Sequence, residues 1–250
     1  MANRLELESW LEAQLEPRRF KDYGPNGLQV EGRSEVRHVV SGVTASLALI
    51  EAAVAAGADT ILVHHGLFWR GQDGRVTGWM RKRLALLLQH EINLLAYHLP
   101  LDAHPQWGNN AQLAQRCGWA SDANFGEGDL GCIGALPEAL NNEAALQAHL
   151  GQVLQRQPTW VPGDGRVLRR VAWCTGGAQG YFEAAIAAGA DVYITGEISE
   201  PQAHYAAETG VAYVAAGHHA TERYGVQALG EAMASAWGLR HQFIDIPNPA

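Results

Sequence analysis

The nine residues EAAVAAGAD, Glu51 to Asp59, return as EAAIAAGAD, Glu183 to Asp191, with a single Val-to-Ile change. An internal repeat constrains a chain strongly, because one way of burying the unit must serve twice. The register extends backwards. VRHVVSGVTAS (Val36 to Ser46) lies against LRRVAWCTGGA (Leu168 to Ala178), each a short apolar run ending in Thr, Gly or Ser. After each copy comes an apolar, β-branched run, TILV or VYIT, too short for a helix and suited to a buried strand of a largely parallel sheet. Within the first copy Leu47, Ile50 and Val54 form one helical stripe, and Gly57 and Gly189 stand where the helices stop. Each half therefore reads strand, turn, helix, strand. The expected fold class is α/β: two similar α/β domains from an internal duplication of βαβ units.

The expected boundaries are 1–122 for the first half and 123–250 for the second, with 123–167 a non-repeated insert. Inside that insert GCIGAL reads as a strand. NNEAALQAHLGQVLQ reads as a capped helix carrying Leu146, Leu150, Val153 and Leu154 on one face. A second pair of segments, INLLAYHLPLD (Ile92 to Asp102) and AYVAAGHHATE (Ala212 to Glu222), fits the same scheme at a shorter offset, so the loops of the two halves differ in length.

Histidine placement carries the chemistry. Six of the 11 histidines fall in three places: His64 and His65 in VHHGLFW, His98 and His104 in YHLPLDAH, His218 and His219 in GHHATERYG. Each cluster follows an apolar strand-like run, and ligands of open α/β sheets bind at the carboxyl ends of strands. Two clusters share the spacing His98-x-x-x-Asp102 and His218-x-x-x-Glu222, an imidazole with a carboxylate, which is a ligand set for Zn, Fe, Mn, Co or Ni. His218 and Glu222 suit one face of a helical turn, whereas Pro100 keeps His98 and Asp102 out of a helix interior. Successive side chains on a strand point to opposite faces, so His64 and His65 are poorly placed to chelate one ion and better placed to serve two. His64, His65, His98, Asp102, His218 and Glu222 are enough for two open three-ligand sites and too many for one catalytic zinc. His104 and His219 suit supporting or surface positions at least as well as ligation, and isolated histidines such as His38 and His241 suit structural roles. Trp69 and Phe68 read as core, and Glu197, which aligns with His65 in the repeat, reads as a candidate site residue or, more commonly for such a position, a solvated turn carboxylate.

Acidic side chains outnumber basic ones 26 to 18, which argues against general affinity for nucleic acid or an anionic membrane. Cys117, Cys132 and Cys174 lack C-x-x-C spacing and read as small core residues of a cytoplasmic protein. The amphipathic opening MANRLELESWLEAQL does not read as a signal peptide, and no apolar run approaches the ~20 residues that span a bilayer. Phosphate-loop, dinucleotide and nucleophile-elbow motifs are absent, and Lys21 and Lys82, the only lysines, give Schiff-base chemistry little support.

VHHGLFW, YHLPLDAHPQWGNN, TGEISE, GHHATERYG, FIDIPNPA and YGPNGLQVEG together resemble the NGG-one-interacting-factor-three-like family of dinuclear-metal proteins, also known as GTP cyclohydrolase type 2 homologues. The resemblance covers nearly the whole chain and is weakest over 120–167. It implies two α/β domains facing a two-metal cleft, assembly into a homohexamer ring, and metal ligands His64, His65, Asp102, His218 and Glu222, with His98 a sixth ligand or a close supporting residue.

The leading expectation is a dinuclear-metal-dependent hydrolase holding two divalent transition-metal ions per chain (Fe, Zn or Mn). It would act on a small-molecule substrate by GTP cyclohydrolase type 2-like ring opening with a metal-bridging hydroxide, and Glu222 and Asp102 would be the catalytic carboxylates. The rival is a non-catalytic metal-binding protein for storage, delivery or sensing. A scaffold tied by structural metals is disfavoured, because structural sites are closed by protein ligands.

Overall fold

The computed structural model describes residues 1–250. In chain order the first elements are α1 (Arg4–Leu15), β1 (Gly27–Val30), β2 (His38–Thr44), α2 (Leu47–Ala56), β3 (Thr60–His65), α3 (Gly78–Gln89), β4 (Asn93–Ala96) and α4 (Leu99–Ala103). There follow α5 (Asn109–Cys117), β5 (Ala123–Phe125), β6 (Gly131–Ala135), α6 (Glu143–Leu154), β7 (Thr159–Val161), β8 (Arg170–Trp173) and α7 (Phe182–Ala187). The last are β9 (Val192–Thr195), α8 (Glu200–Thr209), β10 (Ala212–Ala215), α9 (His218–Trp237) and β11 (Arg240–Phe243). No helix is long and apolar enough to cross a membrane.

Two compact units result, Met1–Gly108 with Gly225–Pro247, and Asn109–Tyr224 with Asn248–Ala250. These limits differ from the expected division at 122/123 for a packing reason. Helix α5 buries Leu113, Ala114 and Cys117 in the core of the second unit, and α9 beyond Tyr224 buries Val226, Leu229 and Met233 in the core of the first. Neither apolar face belongs to the repeated motif.

The first unit is built on a five-stranded sheet of order β11-β2-β3-β4-β1, parallel throughout except for β1. Both faces are covered, so the apolar runs have no polar side. Ile61 and Val63 enter one cluster with Leu49, Ile50 and Leu87, while Leu62 between them enters another with Leu7, Leu11 and Met233. That alternation is the two-residue period of a strand buried on both sides. Helix α2 starts at Ser46, whose hydroxyl accepts the Leu49 amide at 3.2 Å, and ends at Gly57 with φ 70°. Its buried face is Leu49, Ile50 and Ala53, a shift from the expected stripe of Leu47, Ile50 and Val54. Gly42 explains the shift: a Cβ there would lie 2.6 Å from Leu49, so the bare strand backbone admits that leucine.

The second unit has a six-stranded sheet of order β5-β6-β8-β9-β10-β7, in which β8, β9 and β10 are parallel and the others antiparallel. Residues 123–167 thus supply the sheet's flanking strands. The expected strand in GCIGAL is β6, and the expected helix is α6, capped by Asn142 and buried through Leu146, Leu150 and Leu154.

The two units repeat one hydrogen-bonding device. Asp59 accepts the amides of Arg37 and His38 at 2.8 and 3.0 Å, and Asp191 accepts those of Arg169 and Arg170 at 2.8 and 2.9 Å. The aspartate that closes the repeated sequence ties the start of the third element back to the start of the first.

Candidate metal centre

In the first unit β3 ends in His64 and His65, and β4 leads through His98 into α4, which carries Asp102. Metal-ligating atoms of His64, His65 and His98 lie within 4.8 Å of one another. The rings of His64 and His65 are 4.6 Å apart, tilted by 44°. They therefore converge, where regular strand alternation would send them apart. His65 is the last strand residue and the chain turns away at Gly66, so the pleat no longer dictates its direction. Asp102 is buried, with Oδ1 3.5 Å from His64 Nε2.

Each imidazole is held from behind. His64 Nδ1 lies 3.0 Å from the Tyr97 carbonyl oxygen, so it carries the proton and donates it. His65 Nδ1 is 3.1 Å from Thr44 Oγ1, and His98 Nδ1 is 2.6 Å from Asp22 Oδ1. Fixing Nδ1 in this way leaves Nε2 with the lone pair aimed at a metal, the arrangement by which ligating histidines are oriented and made more basic. Asp22 is itself well anchored: it also accepts the amides of Tyr23 (2.6 Å) and Leu99 (3.0 Å) and the side-chain amide of Asn26 (2.8 Å). Burial pushes its carboxyl up, but His98, Asn26 and the Tyr23 amide outweigh burial and bring it down to about 2. Trp69 meets His98 edge-on with centroids 5.0 Å apart, and so walls the cluster instead of joining the core expected for it.

The second unit repeats the pattern with other residues. His218 and Glu222 stand one turn apart at the start of α9, with Nε2 3.2 Å from Oε2, as their spacing predicts. Behind His218, Nδ1 meets Glu197 Oε1 at 2.7 Å, so Glu197 is a positioning residue, the site role that its place in the repeat left open, with its side chain still partly exposed. Burial lowers the His218 pKa, but hydrogen bonds and charge from Glu222 and then Glu197 overcome it and raise it to about 9. Gln179 and Tyr213 in turn hold Glu197, at 3.2 Å to its carboxylate and 2.6 Å to its carbonyl.

A glycine loop completes this half. Gly176 has φ 71°, and a Cβ there would lie 2.0 Å from Glu222 Oε1 and 3.2 Å from His218 Nε2. The loop is clamped by Thr221, which accepts the Gly176 amide at 3.0 Å, and by Thr195, which donates to the Gly176 carbonyl at 3.1 Å. Backbone thus approaches the carboxylate where any side chain would displace it.

Of the remaining candidates, His104 accepts the amides of Gln106 and Trp107 through Nδ1 and stacks on Trp107 at 4.6 Å. It is a loop cap, and burial lowers its pKa. His241 bonds Ser41 at 2.8 Å. Sequence reasoning missed Asp22, Thr44 and the glycine loop. Only DYGPN, a turn-forming stretch of Asp, Pro and Asn, hinted at the first.

The donor sets suit a divalent first-row transition ion: imidazole with carboxylate, no thiolate, and each ring nitrogen opposite the ligating one already engaged. The chain as a whole matches the model of the Duf34/NIF3 (NGG1p interacting factor 3) family over residues 2–249. It is 53% identical over 250 residues, all of both chains, to a protein of Neisseria meningitidis serogroup A named GTP cyclohydrolase 1 type 2 homolog. A Pseudomonas aeruginosa protein of the same name is 53% identical over 94% of each chain. Among solved structures, protein ybgI, described as of unknown function, superposes with a TM-score of 0.93 at 44% identity over the full length of both.

Proposed function

The chain belongs to the Duf34/NIF3 family, and on that premise we propose that it is a dinuclear-metal-dependent hydrolase of the cytoplasm. The ligands we assign are His64, His65 and Asp102 from the first unit and His218 and Glu222 from the second, with His98 a sixth ligand or a support. The observation that carries the reading is the set of outer partners, Tyr97 carbonyl, Thr44, Asp22 and Glu197, each on the Nδ1 of one histidine. Histidines of a merely structural site have no need of four separate orienting contacts that all spare Nε2. Donor number supports a shared centre, since neither unit alone offers the six donors that two three-ligand ions require.

Two divalent ions of Fe, Zn or Mn type would supply Lewis acidity and acidify a water for attack on a polarised carbon. The protein's part is to hold the imidazoles aimed through their Nδ1 partners, to keep Asp102 and Glu222 buried beside them, and to shield the histidine cluster with Trp69. Asp102 and Glu222 would orient water and accept its proton. The substrate class follows the relatives' name: a GTP-like purine whose imidazole ring is opened. Assembly as a homohexamer belongs to the same proposal.

Elemental analysis after reconstitution should find about two ions per chain, and at most one would refute the dinuclear reading. A cycle of His65→Ala and Glu222→Ala on metal affinity should be non-additive, the second loss adding little to the first. Strictly additive losses would separate the two donor sets. Turnover should appear in a panel containing GTP. Rapid exchange with chelators and no hydrolysis would instead identify a metal carrier. Light scattering should give a mass near six times 27 kDa.

A further inference from the structure

Two loops of the first unit, 22–26 and 66–72, stand beside the histidine cluster and are clasped to each other. The Arg70 amide donates to the Tyr23 carbonyl at 2.7 Å, and the Arg70 guanidinium donates through Nη2 to the Asp22 carbonyl at 2.6 Å. A Cβ on Gly24 would collide with the Phe68 carbonyl oxygen. Trp69 and Gln72 close the second loop on itself, with bonds of 3.3 and 3.1 Å. The rim so fixed carries apolar rings into solvent: Tyr23 is 57% exposed and Phe68 36%, and Trp79 is the one other aromatic side chain exposed to that degree. The Tyr23 ring lies 6.2 Å from that of His98, edge-on at 67°, while Trp69 flanks the same imidazole. Arg70 lies over the Tyr23 ring, 5.9 Å from its centroid. It is exposed and pairs with no carboxylate, its guanidinium giving a single hydrogen bond to the Asp22 carbonyl.

We propose that this rim is a subsite for a purine mononucleotide, in which Tyr23 stacks the base, Arg70 receives the phosphate, and guanine and adenine are not told apart. Its placement rests on reading the histidine cluster as the reaction centre. The guanidinium covers one face of the Tyr23 ring and leaves the other as a platform for a flat ring, a contact every base can make. An unpaired arginine fork matches the oxygens of a phosphate that reaches past the ring edge. One such arginine, on a chain with a formal net charge of −8, suits a mononucleotide and not a polyanion, which needs a track of positive charge. The lack of base selection follows from the two side-chain amides on this wall, which are committed at both ends. Asn26 donates to Asp22 at 2.8 Å and accepts the His98 amide at 2.7 Å. Gln29 donates to the Pro25 carbonyl at 2.8 Å and accepts the Leu67 amide at 2.7 Å. Neither amide has its oxygen and its nitrogen both open to a base edge, as bidentate reading of a base requires.

The test is calorimetric titration of the metal-loaded full-length protein with guanosine monophosphate, adenosine monophosphate, guanosine and ribose 5-phosphate. The two nucleotides should bind within about threefold of each other and about tenfold more tightly than ribose 5-phosphate, which has no ring to stack. Tyr23→Leu should weaken both nucleotides about tenfold and leave ribose 5-phosphate unchanged, whereas Tyr23→Phe, which keeps the ring, should bind as wild type does. Arg70→Gln should weaken the nucleotides about tenfold and guanosine little. Thermal melts confirm that the variants fold, and light scattering gives their mass. Nucleotides that bind no better than ribose 5-phosphate, a Tyr23→Leu protein with wild-type affinities, or a preference above about tenfold for either base would overturn the proposal. So would a Tyr23→Leu protein that changes its assembly and not its affinities, since the exposed ring would then serve a contact between copies. Absence of turnover bears on the hydrolase reading alone: a protein that shows these affinities and hydrolyses nothing would sink that reading and leave the subsite. Hydrolysis of a non-aromatic cyclic amide with no nucleotide binding would do the reverse.

Discussion

Asp22→Asn isolates the residue on which one side of the histidine cluster rests. Its two oxygens divide the work: Oδ1 accepts from Tyr23 and His98, Oδ2 from Asn26 and Leu99. An amide in place of the carboxylate presents N–H groups to two of these donors, much as the protonated acid would. The charged form is therefore what the fold stabilises, and its pKa falls from 3.8 to about 2. With the Asp22 side chain only 4% exposed, the whole displacement is credited to the folded state. At about 1.4 kcal/mol per pH unit it is worth about 2 kcal/mol at pH 7. A depressed carboxyl contributes stability above its unfolded value and loses it as pH falls through the folded one. The gap between wild type and variant should thus be about 2 kcal/mol at pH 7, roughly half of that at pH 3, and close to zero below pH 2. Urea titrations of chelator-treated protein at pH 7, 5 and 3 measure it, with metal removed so that acid release of ions does not intrude. A gap below about 0.5 kcal/mol at pH 7, or one that stays constant down to pH 3, would refute the assignment of Asp22 as the charged anchor of His98.

Gly176→Ala should cost about 2–4 kcal/mol, combining overpacking against Glu222 with a side chain at positive φ. Calorimetric melting would show it, and an unchanged Tm would mean the loop does not press on the carboxylate as described. His218, raised to about 9 in the metal-free protein, contributes stability that is complete below its unfolded pKa near 6.5 and fades as pH rises through about 9. A metal ion bound there, as proposed, would displace a proton. Zinc titration at pH 7.5 in two buffers of different ionisation enthalpy should reveal proton release, reduced in Glu197→Gln, and no difference between the proteins would discount the Glu197 contact.

Much of the fold and of the site is legible in the chain itself. The repeat announces parallel strands joined by helices, because EAAVAAGAD and its copy carry both the helix and its stop. The candidate ligands stand out because His-x-x-x-acid spacing is local, within one turn. What the sequence hides is non-local. Asp22 meets His98 across 76 residues, and nothing in the sequence distance marks the pair. The convergence of His64 and His65 is hidden because the alternation rule holds only inside a strand, and the strand stops at His65. The face of α2 moves to Leu49 because a glycine on the neighbouring strand leaves room, a fact of packing that no helical wheel contains. Glu197 reads as a turn carboxylate unless His218 is set beside it.

The paired aspartate clamps bear on how the chain acquires its structure in time. Asp59 and Asp191 each bind backbone amides only 21 and 22 residues earlier, so each closes a short loop whose entropy cost is small beside that of the longer-range contacts in either unit. Local closure of this kind favours early formation, and each strand-helix-strand module can serve as a nucleus onto which the flanking strands are added later. Asp59→Ala and Asp191→Ala should then slow refolding by nearly their full effect on stability, with little acceleration of unfolding. Stopped-flow kinetics in which the unfolding arm absorbs the change would place clamp formation late and assign nucleation elsewhere.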